Sequence, residues 1–378
     1  MKTKEYHTRR YKMEMIQEIP LSWDAPHGDL FPDDMDFMEE SAFHMIATSE
    51  GHDIHLWVAA YQFRQVNVGQ YITPYGSKQA TTLMVIPSER RGKGLYDNDF
   101  VHRGTYLTQH LKPDALLIEK KGDRVIWTIE GRRQILRPPV WEVKGIHAGV
   151  EVDLTFRRLG QPLRCYPPVE KATKDTIYIG YDVFCSVNGS IKVGGKTYPI
   201  KNAWGIREHA TGTQYDWMSV SPSYWVNVVT ENILLHMWQM QAGRTTCNAT
   251  VEIEGKQILY APLSGQGSIK LTTLDYWNDP RNGLCQPSRW HLALASSEGM
   301  ADLEFAAYGR TNNAWITKKG VALEQWQLSI ATGAFYLPGG RTFQVKDALA
   351  MVNPTRRILL SEEPLPDPGP QGAINARL

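Results

Sequence analysis

The chain has 378 residues and a formal net charge of +1, from 41 Lys and Arg against 40 Asp and Glu. Hydrophobic residues make up 42% of it, which is enough to build two domains of about 150–200 residues each. The balanced charge and the lack of any run of like charges exclude the electrostatic footprint of a nucleic-acid-binding protein.

Cysteine usage and the N-terminal sequence indicate a cytoplasmic protein. The four cysteines, Cys165, Cys185, Cys247 and Cys285, are widely spaced and form no CxxC motif, so we expect free thiols. The opening MKTKEYHTRRYKMEM lacks the apolar core of a signal peptide. The sequence contains no stretch of 18 apolar residues, so it predicts no transmembrane segment. Transient contact with a membrane surface is still compatible with it. The sequence does not specify an oligomeric state.

Short alternating or β-branched segments predict strands in both halves of the chain. In the first half they are His55–Val66, Thr81–Ile86, Arg124–Ile129 and Val150–Phe156. In the second half they are Ile233–Gln241, Cys247–Ile253, Gln257–Tyr260, Ser268–Leu274, Trp290–Ala295, Leu303–Ala307 and Leu323–Ile330. Only Phe100–Leu111 and Val345–Val352 favour short helices. This pattern predicts an all-β fold of sandwiches or barrels with few short helices.

The clearest local pattern is a β-meander over Tyr178–Ile200. Tyr178–Val187 predicts a long strand, and Asn188-Gly189 predicts a two-residue hairpin because both residues tolerate positive φ. Ile191–Val193 is then the return strand, and Gly194-Gly195 makes a second turn. We expect an N-terminal β domain over 1–222 and a C-terminal β-barrel domain over 223–378 that ends in an irregular tail.

The polar residues best suited to chemistry lie in the stretch 203–218, AWGIREHATGTQYDWM. Arg207, Glu208 and His209 are consecutive, and Asp216 follows. Because side chains alternate along a strand, Arg207 and His209 share one face and Glu208 lies on the other. The alternation does not indicate which face is interior. A carboxylate enclosed by aromatic rings has a raised pKa, as a general acid requires. If the strand is instead exposed to solvent, the same residues are solvated surface groups without a catalytic role.

The order of these motifs resembles the hydroxyneurosporene synthase family (carotenoid 1,2-hydratases) and its AttH-like and fungal Diels–Alderase relatives. That family has a G-x-x-x-V-x-G-x-x-Y strand pair followed by G-x-x-D-H-x-W-G. Here Asn188-Gly189 to Tyr198 and Gly205–His209 occupy those places. Further matches are Trp277–Gly283, Pro287–Trp290 and Trp326–Gly333. Glu208 replaces the family's Asp, and Ala210-Thr211-Gly212 stands where the family has a Trp.

The resemblance implies two lipocalin-like β domains packed together, with a largely apolar pocket inside or between them. It implies a hydrophobic isoprenoid or polyketide-derived substrate and no cofactor. The implied chemistry is acid/base hydration–dehydration of an alkene, or a cyclisation, and therefore a lyase or isomerase. Glu208 would be the general acid/base, His209 its partner, and Arg207 or Asp216 an electrostatic tuner. The residues expected to bind substrate are Trp204, Tyr215, Trp217, His236, Trp238, Trp57, Tyr61 and Trp277.

Two alternatives stay open beside this hypothesis. One is a pericyclase, which needs chiefly a pocket that preorganises the reacting ends of its substrate. The other is a non-catalytic lipocalin-type carrier of an apolar ligand. We expect no metal, because the pairs His52/His55 and His102/His110 have no third ligand at a suggestive spacing.

Overall fold

The computed structural model describes residues 18–32, 37–68, 71–95, 106–111, 113–163, 178–213, 223–240, 246–280, 283, 285–317 and 320–359. The chain divides into two compact units. The first comprises Met15–Glu89 and Phe100–Gln214, and the second comprises Met1–Glu14, Arg90–Asp99 and Tyr215–Leu378. Within the described residues, no helix combines the length and apolar character needed to cross a bilayer.

The first unit is built on an antiparallel sheet that curls into a half-barrel. Its strands, in chain order from β1 to β11, are Phe37–Ser49, His52–Val68, Tyr71–Pro87, Tyr106–Leu111, Leu116–Lys121, Arg124–Ile129, Arg132–Arg137, Val140–His147, Val150–Arg158, Tyr178–Val193 and Lys196–Thr213. They are hydrogen-bonded in the order β4-β3-β2-β1-β11-β10-β9-β8-β7-β6-β5. Short 3₁₀ turns cover Leu21–Trp23, Gly28–Leu30, Ser88–Arg90 and Pro113–Ala115.

The second unit carries another curled antiparallel sheet. Its strands β12 to β20 are Ser223–Val229, Ile233–Met240, Thr246–Ile253, Lys256–Tyr260, Ser268–Asn278, Cys285–Ser296, Gly299–Thr317, Gly320–Tyr336 and Thr342–Leu359. Their order is β15-β14-β13-β12-β20-β19-β18-β17-β16, and a 3₁₀ turn covers Pro262–Ser264. The predicted all-β architecture is confirmed. The division into 1–222 and 223–378 remains a prediction.

Each sheet buries one apolar set of alternating side chains. In the first unit, Phe43, Val58, Val183 and Phe156 belong to a core that also encloses the Trp127 and Trp141 rings. Strand β9 shows the underlying pattern, with buried residues at every second position from Val150 to Phe156. Strand β1 differs because residues on both of its faces are buried. Apart from Thr48, the polar side chains on β1 are therefore held away from solvent whichever way they point.

The hairpin predicted at Asn188-Gly189 is wrong. Strand β10 continues through this point to Val193, and the register shift between Val187 and Gly189 marks a β-bulge. Gly189 has a φ of 138°, and a Cβ added there would overlap the carbonyl oxygen of Asp153 on β9. Glycine is thus required for close approach of a neighbouring strand rather than for a turn. The turn predicted at Gly194-Gly195 is confirmed, and it joins β10 to β11.

Neither predicted helix forms where the structure describes it. Val345–Val352 lies inside β20, and residues 106–111 form β4, while residues 100–105 lie outside the described residues. Strand β20 pairs with β19 from Thr342 to Leu359 and with β12 at residues 350–355. The hydrogen bonds of this long strand pairing outweigh the weak helix propensity of the stretch.

Candidate functional site

Strand β11 places its central polar residues on opposite faces of the first sheet. Arg207 and His209 point to the side of the apolar core, and each is buried. They lie opposite Phe43 and Ser41 of β1 in the strand register. Glu208 lies opposite Ala42 and points to the other side. Glu208 and His209 are therefore not each other's partners, which corrects the pairing expected from their adjacency in sequence.

Asp24 is the centre of the polar cluster on the core side. It follows the 3₁₀ turn at Leu21–Trp23 and is completely buried. Its Oδ1 accepts hydrogen bonds from Arg207 Nη2 at 2.8 Å and from the Tyr181 hydroxyl at 2.7 Å. Its Oδ2 accepts one from Trp141 Nε1 at 2.7 Å. Burial alone would raise the pKa of Asp24, but the Arg207 charge, the neighbouring His209 and the Tyr181 hydroxyl hold that pKa well below its usual value.

Glu39 is the second buried carboxylate of this cluster. Its Oε1 lies 3.0 Å from His209 Nε2 and accepts from the His27 backbone N–H at 2.9 Å and the Thr211 hydroxyl at 3.2 Å. Gln62 donates to Oε2. Burial opposes ionisation, yet the hydrogen bond and charge of His209 lower the pKa of Glu39. Conversely, Asp24 and Glu39 raise the pKa of His209 against the effect of its own burial.

His27 completes the cluster. Its ring stacks on that of His209, with the centroids 5.2 Å apart. Its Nε2 lies 2.9 Å from the Ser22 carbonyl oxygen, and its Nδ1 lies 3.2 Å from Thr211 Oγ1 and 3.6 Å from Glu39 Oε1. Burial, and then the neighbouring His209, lower the pKa of His27, whereas the pKa of His209 is raised, so His27 is the less basic of the two rings. We call Asp24, His27, Glu39, Arg207 and His209 the core-side cluster.

A different acid–histidine pair occupies the other side of the sheet. Glu208 Oε2 lies 2.9 Å from His44 Nε2. The Glu208 side chain is 17% exposed, whereas His44 is buried. The Trp57 ring lies 6.0 Å from the His44 ring. On the same face, Tyr61 donates a 2.6 Å hydrogen bond to Glu40. We call Glu208 and His44 the Glu208–His44 pair.

Several residues predicted from sequence share the face of this pair. Trp57 and Tyr61 project from β2, and Trp204 precedes Glu208 on β11 at an even spacing, with its ring 6.3 Å from Phe184. Asp182 lies directly opposite Glu208 on β10 and is also buried. The remaining residues predicted beside Glu208, namely Tyr215, Asp216 and Trp217, lie outside the described residues.

The other predicted substrate-binding residues belong to the second unit. His236 and Trp238 alternate with the core residues Leu235 and Met237 on β13, so they point away from that core. His236 Nε2 accepts a 2.7 Å hydrogen bond from Trp225. Trp277 instead packs against the core of the second unit, with the Arg310 guanidinium 4.1 Å above its ring.

Sequence reasoning missed the partners that define both polar sites. Glu39 meets His209 because β1 pairs with β11, whereas Asp24 and His27 come from the segment that precedes β1. One local signal was present, since Glu39, Glu40 and His44 interrupt an otherwise apolar and fully strand-like stretch. His27, Glu39 and His209 also present one donor atom each within 4.8 Å of one another, a set of metal-ligand types that no local spacing reveals.

Comparison with known proteins supports the architecture. A family model described as "Domain of unknown function (DUF7064)" matches residues 74–253. No curated protein matches the sequence. An AttH candidate from Nitrosomonas europaea has a similar structure, with a TM-score of 0.54, 9% identity, and coverage of 89% of this chain and 97% of that one.

The structure of CghA is also similar, with a TM-score of 0.56, 10% identity, and coverage of 87% of this chain and 90% of that one. CghA in complex with Sch210972 matches with a TM-score of 0.54, 10% identity, and coverage of 86% and 89%. At these identities the likeness concerns the fold. The chain therefore has the lipocalin-like fold of AttH and CghA, in agreement with the family that its sequence resembles.

Proposed function

We propose that this chain is a cofactor-independent enzyme that transfers a proton to or from a hydrophobic, isoprenoid- or polyketide-derived small molecule at Glu208. The observation that carries the proposal is the Glu208–His44 pair, in which a largely buried acid keeps some exposure. A proton-transfer group must come within about 3 Å of its substrate. Asp24 and Glu39 are wholly enclosed, so Glu208 is the better placed acid.

The surroundings of Glu208 suit an apolar substrate. Ile206 and Ala210 flank it along β11, and both are buried. Trp57, Tyr61 and Trp204 add aromatic rings to the same face. Aromatic faces stabilise positive charge through their quadrupole, and a low local dielectric strengthens each polar interaction with the substrate. Such a face tolerates the cationic character that develops when an alkene is protonated.

Each proton that these reactions transfer can come from Glu208 and return to it. In a hydration, the protonated Glu208 gives its proton to one alkene carbon, and water adds to the other carbon. The proton that the added water loses returns to Glu208, and a dehydration runs the same steps in reverse. In a cyclisation, Glu208 protonates the alkene, the resulting cation closes the ring, and the proton that the cyclic cation then loses returns to Glu208. His44 orients the carboxylate through the 2.9 Å contact in each case.

The other predicted residues take supporting roles. Arg207 donates to the backbone carbonyl of Glu208 and to Asp24, so it acts as a positioning residue for the strand that carries the acid. Asp216 is retained as an electrostatic tuner, with Tyr215 and Trp217 as pocket residues. That CghA was crystallised with Sch210972 supports small-molecule binding by this fold.

The test is turnover of a panel of isoprenoid and polyketide alkenes by the full chain, with products analysed by mass spectrometry. Gain or loss of one water identifies a hydratase or dehydratase, and a product of unchanged mass identifies a cyclase. Glu208→Gln keeps the size and polarity of the side chain but cannot deliver a proton in the same way. We expect it to reduce turnover by about 10²- to 10⁴-fold.

Glu151→Gln is the matched control, because Glu151 is an exposed acid of the same unit that pairs with Lys192 on the surface. It should retain full activity. A fully active Glu208→Gln variant would contradict the proposal. Recovery of unchanged ligand from both the parent protein and Glu208→Gln, with no product from either, would instead support the carrier.

A further inference from the structure

The core-side cluster contains a donor set that the proposed proton transfer does not use. His27 Nδ1, Glu39 Oε1 and His209 Nε2 all lie within 4.8 Å of one another, and all three residues are buried. They lie on the opposite side of the sheet from the Glu208–His44 pair. From this arrangement we infer that His27, Glu39 and His209 form a binding site for a divalent transition-metal ion of the Zn²⁺ type.

The spacing of the donor atoms fits such an ion. Tetrahedral Zn²⁺ binds nitrogen and oxygen ligands at about 2.0–2.1 Å, which places neighbouring ligand atoms about 3.3 Å apart. Glu39 Oε1 lies 3.0 Å from His209 Nε2 and 3.6 Å from His27 Nδ1. The Thr211 hydroxyl lies 3.2 Å from both Glu39 Oε1 and His27 Nδ1, beside the fourth position. The three donor atoms lie within 4.8 Å of one another, so binding draws them together around the ion.

The hydrogen bonds of His27 leave a lone pair facing this position. Its Nε2 lies 2.9 Å from a carbonyl oxygen, which can only accept, so Nε2 carries the proton and Nδ1 of the neutral ring does not. Nδ1 then faces Glu39 Oε1 and Thr211 Oγ1. The single hydroxyl proton of Thr211 can serve only one of these two acceptors. A cation bound to Nδ1 and Oε1 resolves this conflict.

His209 supplies a second, independent observation. Its buried Nδ1 has no hydrogen-bond partner among the described residues and lies 3.9 Å from Asp24 Oδ1. Histidines that bind a metal through one ring nitrogen commonly present the other N–H to a carboxylate or a backbone carbonyl. Ser22 has that relation to His27, and Asp24 Oδ1, 3.9 Å from His209 Nδ1, is the carboxylate that lies nearest to take the same role for His209. The orientation of His27 is therefore already set by a neighbouring group, and His209 points its unpartnered nitrogen toward a carboxylate.

The ligand types determine which ions fit. Two imidazoles and one carboxylate favour Zn²⁺ or Co²⁺ over Mg²⁺ and Ca²⁺, which prefer oxygen ligands. Asp24 and Glu39 together carry two negative charges, which offset the charge of a divalent ion. Arg207 keeps its charge, so an anionic fourth ligand such as hydroxide completes the balance.

The experiment uses the untagged full chain, equilibrated with Zn²⁺ or Co²⁺ and then desalted. Elemental mass spectrometry should find about one ion per chain, and bound Co²⁺ should give the visible absorption of a four- or five-coordinate ion. An excess of Mg²⁺ should not compete. Glu39→Gln and His27→Gln should each weaken binding by at least about 100-fold.

His291→Gln is the control, because His291 and Asp302 form an exposed pair at 2.8 Å in the second unit and offer a surface donor set. It should bind as the parent protein does. Anomalous scattering from metal-soaked crystals of the parent protein locates the ion even if the variants fold poorly. Failure of the parent protein to retain Zn²⁺ or Co²⁺, or an ion located elsewhere, would overturn the inference.

Discussion

Replacing Arg207 by Met leaves the buried carboxylate of Asp24 without its cation. Both side chains of this pair are fully buried, and their atoms lie 2.8 Å apart. Met keeps an unbranched chain of similar length against the Phe43 ring, over which the guanidinium lies at 4.9 Å. Breaking a buried ion pair by removing one partner costs about 3–5 kcal/mol, because the remaining charge stays desolvated. Tyr181 and Trp141 still donate to Asp24, which favours the lower end of that range.

Hydrogen exchange followed by mass spectrometry measures this effect within the first unit, on peptides from β10 and β11. A loss of 3–5 kcal/mol corresponds to exchange that is about 10²- to 10⁴-fold faster, where opening is in rapid equilibrium. Lys192→Met removes an exposed cation of the same unit and should cost less than about 1 kcal/mol. Combining Arg207→Met with Asp24→Asn should cost less than the sum of the single changes by at least about 1 kcal/mol. Additive effects, or less than tenfold faster exchange in Arg207→Met, would refute the buried ion pair.

Three further predictions concern separate features of the chain. Burial lowers the pKa of His55 from 6.5 to about 3, so the folded state excludes a proton that the unfolded state binds below pH 6.5. The free energy of unfolding is thus lost as the pH falls from 6.5 toward 3, by about 2 kcal/mol at pH 5. Urea unfolding of His55→Gln, measured at a series of pH values, should lack this component. Gly205→Ala should destabilise the protein by about 1–3 kcal/mol in thermal unfolding, because the new Cβ would overlap the backbone carbonyl oxygen of His44 on β1 and lie 2.8 Å from the Phe156 ring. Burial also raises the pKa of the Cys185 thiol, so peptide-level alkylation should modify the exposed Cys285 readily and Cys185 only after unfolding.

The strands could be predicted largely from local pattern. Arg124–Ile129 matches β6 in both bounds, as its β-branched and aromatic residues predict, and Val150–Phe156 lies within β9, where buried residues alternate with more exposed ones. Gly189 shows the limit of this reasoning. Its dipeptide has the composition of a turn, but its conformation serves the close approach of Asp153 on another strand. That neighbour lies 36 residues earlier in the sequence, so no short window contains the relevant information.

The candidate site could be predicted only in part, for the same physical reason. Strand alternation correctly placed Glu208 and His209 on different faces, but it could not identify what each one meets. The partners depend on the pairing of β1 with β11, which brings together residues more than 160 positions apart. Asp24 follows a short 3₁₀ turn, a context without a periodic signal for burial. Long-range strand register, rather than composition, therefore decides which acid is paired with which histidine.

The adjacency of Glu208 and His209 has a different meaning once their faces are separated. His209 belongs to an enclosed network in which ionised groups neutralise one another, and Glu208 belongs to a face where an acid keeps some exposure. Arg207 joins the two, because it donates both to Asp24 and to the backbone carbonyl of Glu208. Changes at Asp24 or Arg207 should therefore alter activity together with stability, whereas changes at Glu208 should alter activity alone. A strand that is anchored by charges on one side can thus hold a reactive acid steadily on the other, at a position that the apolar environment would otherwise disfavour.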